Sequence, residues 1–290
     1  MFSPFERDRM EARRQRFRAI PVRTLLPNLI TLLALCAGLT AIRLAFEGKL
    51  EWALAAIVFA AGLDGIDGRI ARMIKGQSKF GAELDSLADF VNFGCTPGLI
   101  LYLWGLNGAG NVGWIAAMVF AICGALRLAR FNVMAEDPNQ PAWAGNFFTG
   151  VPAPAGALVV MLPIYVDLLG GPKANPTVTL LYTLAIAFLM VSRLPVLSGK
   201  RVGKRVNPDM VLPVFVVVVL FFALLIAYPW WVLSIGTVIY LACLPLGWHT
   251  YREYARKDLE AARAAAVSGE MPDALPQPKP DERDDRPTHH

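Results

Sequence analysis

Charge is scarce in this chain: 18% of its 290 residues are Asp, Glu, Lys or Arg, against 55% apolar. Soluble domains carry about a quarter charged residues and a little under half apolar ones, so an ordinary soluble fold and a chain disordered throughout are both excluded. Cysteine is sparse as well. Cys36, Cys95, Cys123 and Cys243 are scattered through apolar runs without CxxC or Cys/His spacing, which excludes a disulfide-stapled mini-protein and leaves them as packing residues. Tandem repeats and a collagen-like period are absent. Aromatic residues do not alternate along any basic stripe, so the net charge of +5 is no sign of nucleic-acid binding. It fits membrane orientation and attraction to anionic headgroups. What the chain has in abundance is long apolar runs, with a mean hydropathy of +0.45.

A helix needs about 20 apolar residues to cross the hydrocarbon layer. Eight runs qualify, near 25–45, 51–73, 84–106, 112–134, 152–170, 177–195, 211–228 and 230–248. The sequence therefore predicts an all-α, polytopic membrane helix bundle. The first run has a long basic flank and no small-x-small site followed by a soluble mature domain, so it reads as a retained membrane helix. Residues 1–24 carry seven arginines, and Lys200, Arg201, Lys204 and Arg205 follow the sixth run. The excess of positive charge places both segments in the cytoplasm, and the even number of spans returns the basic segment after the last run to the same side. The expected organisation is a basic cytoplasmic arm (1–24), a six-helix catalytic membrane core (25–195), a basic cytoplasmic linker (196–210), two additional transmembrane helices (211–248) and a cytoplasmic tail (249–290). The arm reads either as a basic interfacial helix anchored by Phe2, Phe5, Met10 and Phe17 or as a solvated segment. From about Ala264 the tail turns to Ala, Pro and charged residues and reads as disordered. The last two spans read as packing or dimerisation helices.

Acidic residues concentrate where the second and third spans meet: Asp64, Asp67, Asp85 and Asp89. Each costs about 2.5 to 3.5 kcal/mol at the centre of a membrane helix, so four unpaired would cost on the order of 10 kcal/mol and a cation must neutralise them. At 100° per residue, Asp64, Asp67, Gly68 and Ala71 share one face of the second helix. Gly81, Asp85, Ala88, Asp89 and Asn92 share one face of the third. The small residues between the acids permit close approach of the two helices. Carboxylates clustered without His or Cys suit Mg²⁺ or Mn²⁺, and four suffice for two ions, an arrangement that stabilises in-line displacement at phosphorus. Arg69, Arg72, Lys75 and Lys79 are near enough to serve as salt-bridge partners instead. An EF-hand is excluded by the spacing; a divalent-cation transporter stays open. The histidines, His249, His289 and His290, stand outside the constellation, so a carboxylate is the available proton acceptor.

The pattern Asp64-x-x-Asp67-Gly68-x-x-Ala71-Arg72, eight residues, then Gly81-x-x-x-Asp85-x-x-x-Asp89 resembles, without departure, the signature of the CDP-alcohol phosphatidyltransferase family, whose six-helix core residues 25–195 would form. Leu26 to Thr31, Phe93 to Pro97, Arg127 to Asn132 and Phe148 to Pro154 look like the bacterial membrane-bound phosphatidylserine synthases within it. The resemblance implies that the hydroxyl of L-serine displaces CMP from CDP-diacylglycerol in the cytoplasmic (inner) membrane, with the site facing the cytoplasm, and that the protein is a homodimer. It implies metal ligation by Asp64, Asp67, Asp85 and Asp89, with Asp89 also the general base. Asp67, Gly68, Ala71, Arg72 and Gly81 would line the CDP-diacylglycerol site. The acceptors glycerol 3-phosphate, an inositol compound and choline stay open, because the signature reads only the CDP end.

Serine carries a carboxylate, for which an Arg fork is suited. Arg130 and Arg127, at the end of the fourth span, are candidates for that role or are positive-inside anchors. Asn132, Thr149 and Lys79 are further polar candidates for the acceptor pocket.

Overall fold

A computed structural model describes residues 22–74, 78–135, 147–197 and 208–268. Its helices are α1 (Val22–Phe46), α2 (Leu50–Met73), α3 (Lys79–Asp89), α4 (Thr96–Trp104), α5 (Asn111–Ala135), α6 (Ala153–Val160), α7 (Leu162–Leu168), α8 (Pro176–Val191), α9 (Pro208–Ala227) and α10 (Pro229–Ser268). A π-helical turn, Phe90–Cys95, joins α3 to α4, and a 3₁₀ turn, Leu106–Ala109, leads toward α5. The all-α membrane architecture stands. Four stretches are long and apolar enough to cross a bilayer by length and composition: Leu25–Phe46, Lys79–Trp104, Asn111–Met134 and Met210–Ala227.

The remaining expected spans differ for local reasons. The C-terminal part of α2 carries Asp64, Asp67, Arg69 and Arg72, which lowers its apolarity. The run 152–170 forms two short helices that meet at Met161. Pro163 there has no N–H to continue the ladder, and Tyr182 Oη donates to the Val159 carbonyl at 2.7 Å. The sixth run ends as a helix at Val191, and the chain then enters a short ribbon absent from the all-α expectation. Phe147–Thr149 (β1) pairs antiparallel with Pro195–Leu197 (β2), Thr149 opposite Pro195. The last helix continues to Ser268, past the point near 264 where disorder was expected. The basic arm through residue 21 and linker residues 198–207 lie outside the described residues.

α1 and α2 form an antiparallel hairpin along their length. Its turn is held by Glu47, whose carboxylate accepts from Lys49 Nζ and Arg43 Nε at 2.8 Å each. Those bonds, Lys49's first, keep the Glu47 carboxyl below its usual range. The core fills with Leu54 and Ile57 of α2, Phe93 of the π turn, Ile100 and Leu101 of α4, Phe120 of α5, Tyr165 of α7 and Met190 of α8. α9 touches α10, and no part of its apolar run is buried among the described residues.

Two close approaches set the spacing at the site. A Cβ on Gly38 of α1 would collide with the Asn92 side chain of the π turn, and one on Gly98 of α4 would come within 2.9 Å of the Ala117 carbonyl of α5. Small residues are what let these helices touch.

Candidate active site

The local fold around the aspartates starts at Ser78, whose hydroxyl accepts the Gly81 N–H at 3.0 Å and caps α3. From that cap, Asp85 and Asp89 fall one turn apart on the same face of α3. Immediately after Asp89 the backbone widens into the π turn. Pro97, two residues beyond that turn, cannot donate to the Phe93 carbonyl and its ring crowds it. The Thr96 N–H goes instead to the Val91 carbonyl, five residues back, and Thr96 Oγ1 donates to the same carbonyl at 2.8 Å. The extra residue rotates the rest of the helix. Asp85 and Asp89 keep facing α2 while Asn92 and Phe93 turn into the core, where both are buried. Single π turns of this kind recur at functional sites.

The structure brings the four aspartates together. One carboxylate oxygen each from Asp64, Asp67 and Asp85 lies within 4.8 Å of the other two. Asp89 joins them through Asp64, with which it is in side-chain hydrogen-bonding contact. Carboxylates this close repel unless a proton or a cation lies between them. An all-oxygen donor set with no His or Cys is the set a hard divalent ion takes, so these residues fit Mg²⁺ or Mn²⁺.

α1 contributes to the same site. Thr31 Oγ1 donates to Asp67 Oδ2 at 2.8 Å and lies 3.1 Å from the Pro27 carbonyl, and the Gly68 N–H donates to the Asp67 carboxylate. Asp67 is thereby fixed and only 3% exposed. Gly81 abuts the first turns of α1: a Cβ there would fall 2.7 Å from Asn28 Oδ1. Thr31 and Asn28 belong to the stretch Leu26 to Thr31, in which the sequence marks a likeness but gives neither residue a role.

Among the described residues, α5 supplies a cation to the acids. Arg127 is 8% exposed, its guanidinium lies 5.4 Å from the Phe131 ring centroid, and it interacts electrostatically with Asp89 and Asp64. Among the described residues, its Nε has no hydrogen-bond partner. Arg130 points elsewhere: its Nη1 donates to the Val191 carbonyl at 2.6 Å, tying α5 to the end of α8. Asn132 Nδ2 donates to Ser86 Oγ on α3 at 2.9 Å. Thr149 is partly buried in the β ribbon, and Lys79 is exposed on the first turn of α3. Arg69 and Lys79 form no ion pair with the aspartates among the described residues. Ala71 and Arg72 lie on the last turn of α2, where their side chains fall outside the described ones.

Comparisons with known proteins point the same way. A sequence model described as CDP-alcohol phosphatidyltransferase matches residues 24–193, and a second, described as CDP-alcohol phosphatidyltransferase 2, matches residues 209–245. A Mycobacterium tuberculosis protein named CDP-diacylglycerol–serine O-phosphatidyltransferase is 37% identical over 234 residues, covering 80% of this chain and 81% of the relative. Proteins of the same name from Mycobacterium leprae and Helicobacter pylori are 38% identical over 231 residues and 34% over 221. They cover 79% and 75% of this chain, and 76% and 88% of the relatives. With more than half its length matched and the signature aspartates gathered at one point, the chain belongs to the CDP-alcohol phosphatidyltransferase family.

Proposed function

We propose that this protein is a phosphatidylserine synthase: it transfers the phosphatidyl group of CDP-diacylglycerol to L-serine and releases CMP. The observation that carries this reading is the convergence of Asp64, Asp67 and Asp85 on one point, with Asp89 beside Asp64, in a chain of this family. The names of the relatives supply serine as the acceptor. Buried Arg127 agrees with it, since a phosphorylated acceptor such as glycerol 3-phosphate calls for a denser cationic pocket. Among the described residues, Arg127 is the buried cation.

In the reaction, the serine hydroxyl oxygen bonds to the β-phosphorus of the CDP-lipid. The bond from that phosphorus to the oxygen bridging it to the α-phosphorus breaks, and CMP leaves with the oxygen. Asp89, in contact with Asp64 at the edge of the Asp64, Asp67 and Asp85 group, takes the hydroxyl proton. Those three, with Asp89, would hold two divalent ions. Bound there, such ions would neutralise the pyrophosphate and stabilise the attacking and leaving oxygens. Gly68, Ala71, Arg72 and Gly81 line the CDP side. Arg127 is favoured over Arg130 for the serine carboxylate, because Arg130 is engaged with the Val191 carbonyl. Asn132, Thr149 and Lys79 border the cytoplasmic mouth. This reading places the protein in the cytoplasmic membrane as a homodimer, with the site open to the cytoplasm.

Purified protein, CDP-diacylglycerol, Mn²⁺ or Mg²⁺ and a panel of labelled alcohols test it. Serine is expected to give phosphatidylserine with stoichiometric CMP. CMP release driven by another acceptor and not by serine would move the protein elsewhere in the family, and metal flux in proteoliposomes without nucleotide would make it a transporter. Thr31 offers a narrower check. Thr31→Val keeps the shape and removes the donor to Asp67, so the metal concentration for half-maximal activity should rise about 10- to 100-fold, as for other partners that orient metal ligands. An unchanged metal requirement would remove Thr31 from the site.

A further inference from the structure

The last helix carries polar groups that the chemistry above leaves unused. Ser234, Thr237 and Tyr240 recur every three residues and so fall on one side of α10, among residues that are otherwise apolar. Thr237 is 5% exposed, and Ser234 Oγ and Tyr240 Oη are buried without hydrogen-bond partners among the described residues. This side of α10 packs on the bundle: Trp230 stacks on Tyr165 of α7, with ring centroids 6.2 Å apart, and Tyr240 and Leu244 pack against the buried core. Tyr240 thereby comes within electrostatic reach of Arg127.

Buried tyrosine hydroxyls and guanidinium nitrogens ordinarily find partners. Here two donors, Tyr240 Oη–H and Arg127 Nε–H, lie within electrostatic range of each other and bond neither to one another nor to a third group among the described residues. The Tyr240 oxygen does not accept the Arg127 Nε–H, so both donors stay free, and a group that offers two acceptor oxygens can satisfy both. A carboxylate is such a group, and the same Arg127 interacts with Asp64 and Asp89, where the acceptor hydroxyl must arrive.

We propose that Tyr240 completes the acceptor subsite: its hydroxyl and the Arg127 guanidinium together hold the carboxylate of the incoming amino acid. The inference rests on the serine-transfer reading and adds to it a residue from outside the stretch 24–193. α10 is then part of the specificity apparatus, because it selects an acceptor that bears a carboxylate.

Tyr240→Phe removes the hydroxyl and keeps the ring. Loss of one hydrogen bond to a charged group predicts a rise in the serine KM of about tenfold, with kcat, the CDP-diacylglycerol KM and thermal unfolding in detergent little changed. Two unreactive or poorly reactive probes locate the effect. Inhibition by L-alanine, which keeps the carboxylate and ammonium of serine, should weaken by the same factor, and inhibition by ethanolamine, which has no carboxylate, should not. In the double variant Arg127→Lys/Tyr240→Phe, the combined loss should fall short of the product of the single losses, since both residues grip one group. An unchanged serine KM in an active Tyr240→Phe enzyme, or equal weakening of alanine and ethanolamine, would overturn the role of Tyr240 while leaving serine transfer standing. A wild-type enzyme that releases CMP with another acceptor and not with serine would overturn the underlying reading instead.

Discussion

Asp89→Asn is expected to lower phosphatidylserine synthesis by about 10²- to 10⁴-fold, the range a positioned general base contributes, with CDP-diacylglycerol binding largely intact. The reasoning is geometric. Asp64, Asp67 and Asp85 form the compact oxygen cluster, and Asp89 lies at its side in contact with Asp64, one turn past Asp85 and just before the π turn. An amide there keeps size and hydrogen bonding but cannot accept the serine proton. Single-turnover CMP release, measured beside equilibrium binding of the CDP-lipid, separates the two roles. Near-normal synthesis by the variant would mean that another group is the base.

The second large effect concerns the cluster itself. Chelation of divalent ions should reduce CMP release to background, and Mn²⁺ or Mg²⁺ should restore it. Asp85→Ala should abolish that restoration at ordinary metal concentrations. Asp85 is the one member of the triad carried by α3, so its loss leaves Asp64 and Asp67 on α2 with Asp89 alone from the facing helix. Aspartates at membrane depth are costly unless neutralised, and a cluster that binds no cation would have to be held together by protons. Full activity in chelator would contradict the reading.

Much of this site is legible in the sequence because its signal is local. Asp64 and Asp67, then Asp85 and Asp89, sit at helical spacing with small residues between them, and period and residue type together place both pairs on facing stripes. The parts that escape the sequence depend on contacts made far along the chain. The bond from Thr31 to Asp67 spans 36 positions. The pairing of Phe147–Thr149 with Pro195–Leu197 joins segments on either side of α6, α7 and α8, and three-residue strands leave no alternating pattern to read. The π turn follows from a proline placed after Thr96 and from the packing of Asn92 against Gly38, which periodicity does not encode. Arg127 and Arg130 both read as flanking charges in the sequence, with Arg130 put first for the serine carboxylate. They separate only in three dimensions, one beside the acids and the other on a backbone carbonyl. Tyr240 is the extreme case, an aromatic in an apolar run with no local mark of a site.

The most direct test is to locate the ion. Mn²⁺ bound to the purified protein with CDP-diacylglycerol, located by anomalous scattering, is expected among the carboxylates of Asp64, Asp67, Asp85 and Asp89, against the lipid's pyrophosphate. Manganese found only at surface sites, or those carboxylates turned away from one another around the bound nucleotide, would contradict the account.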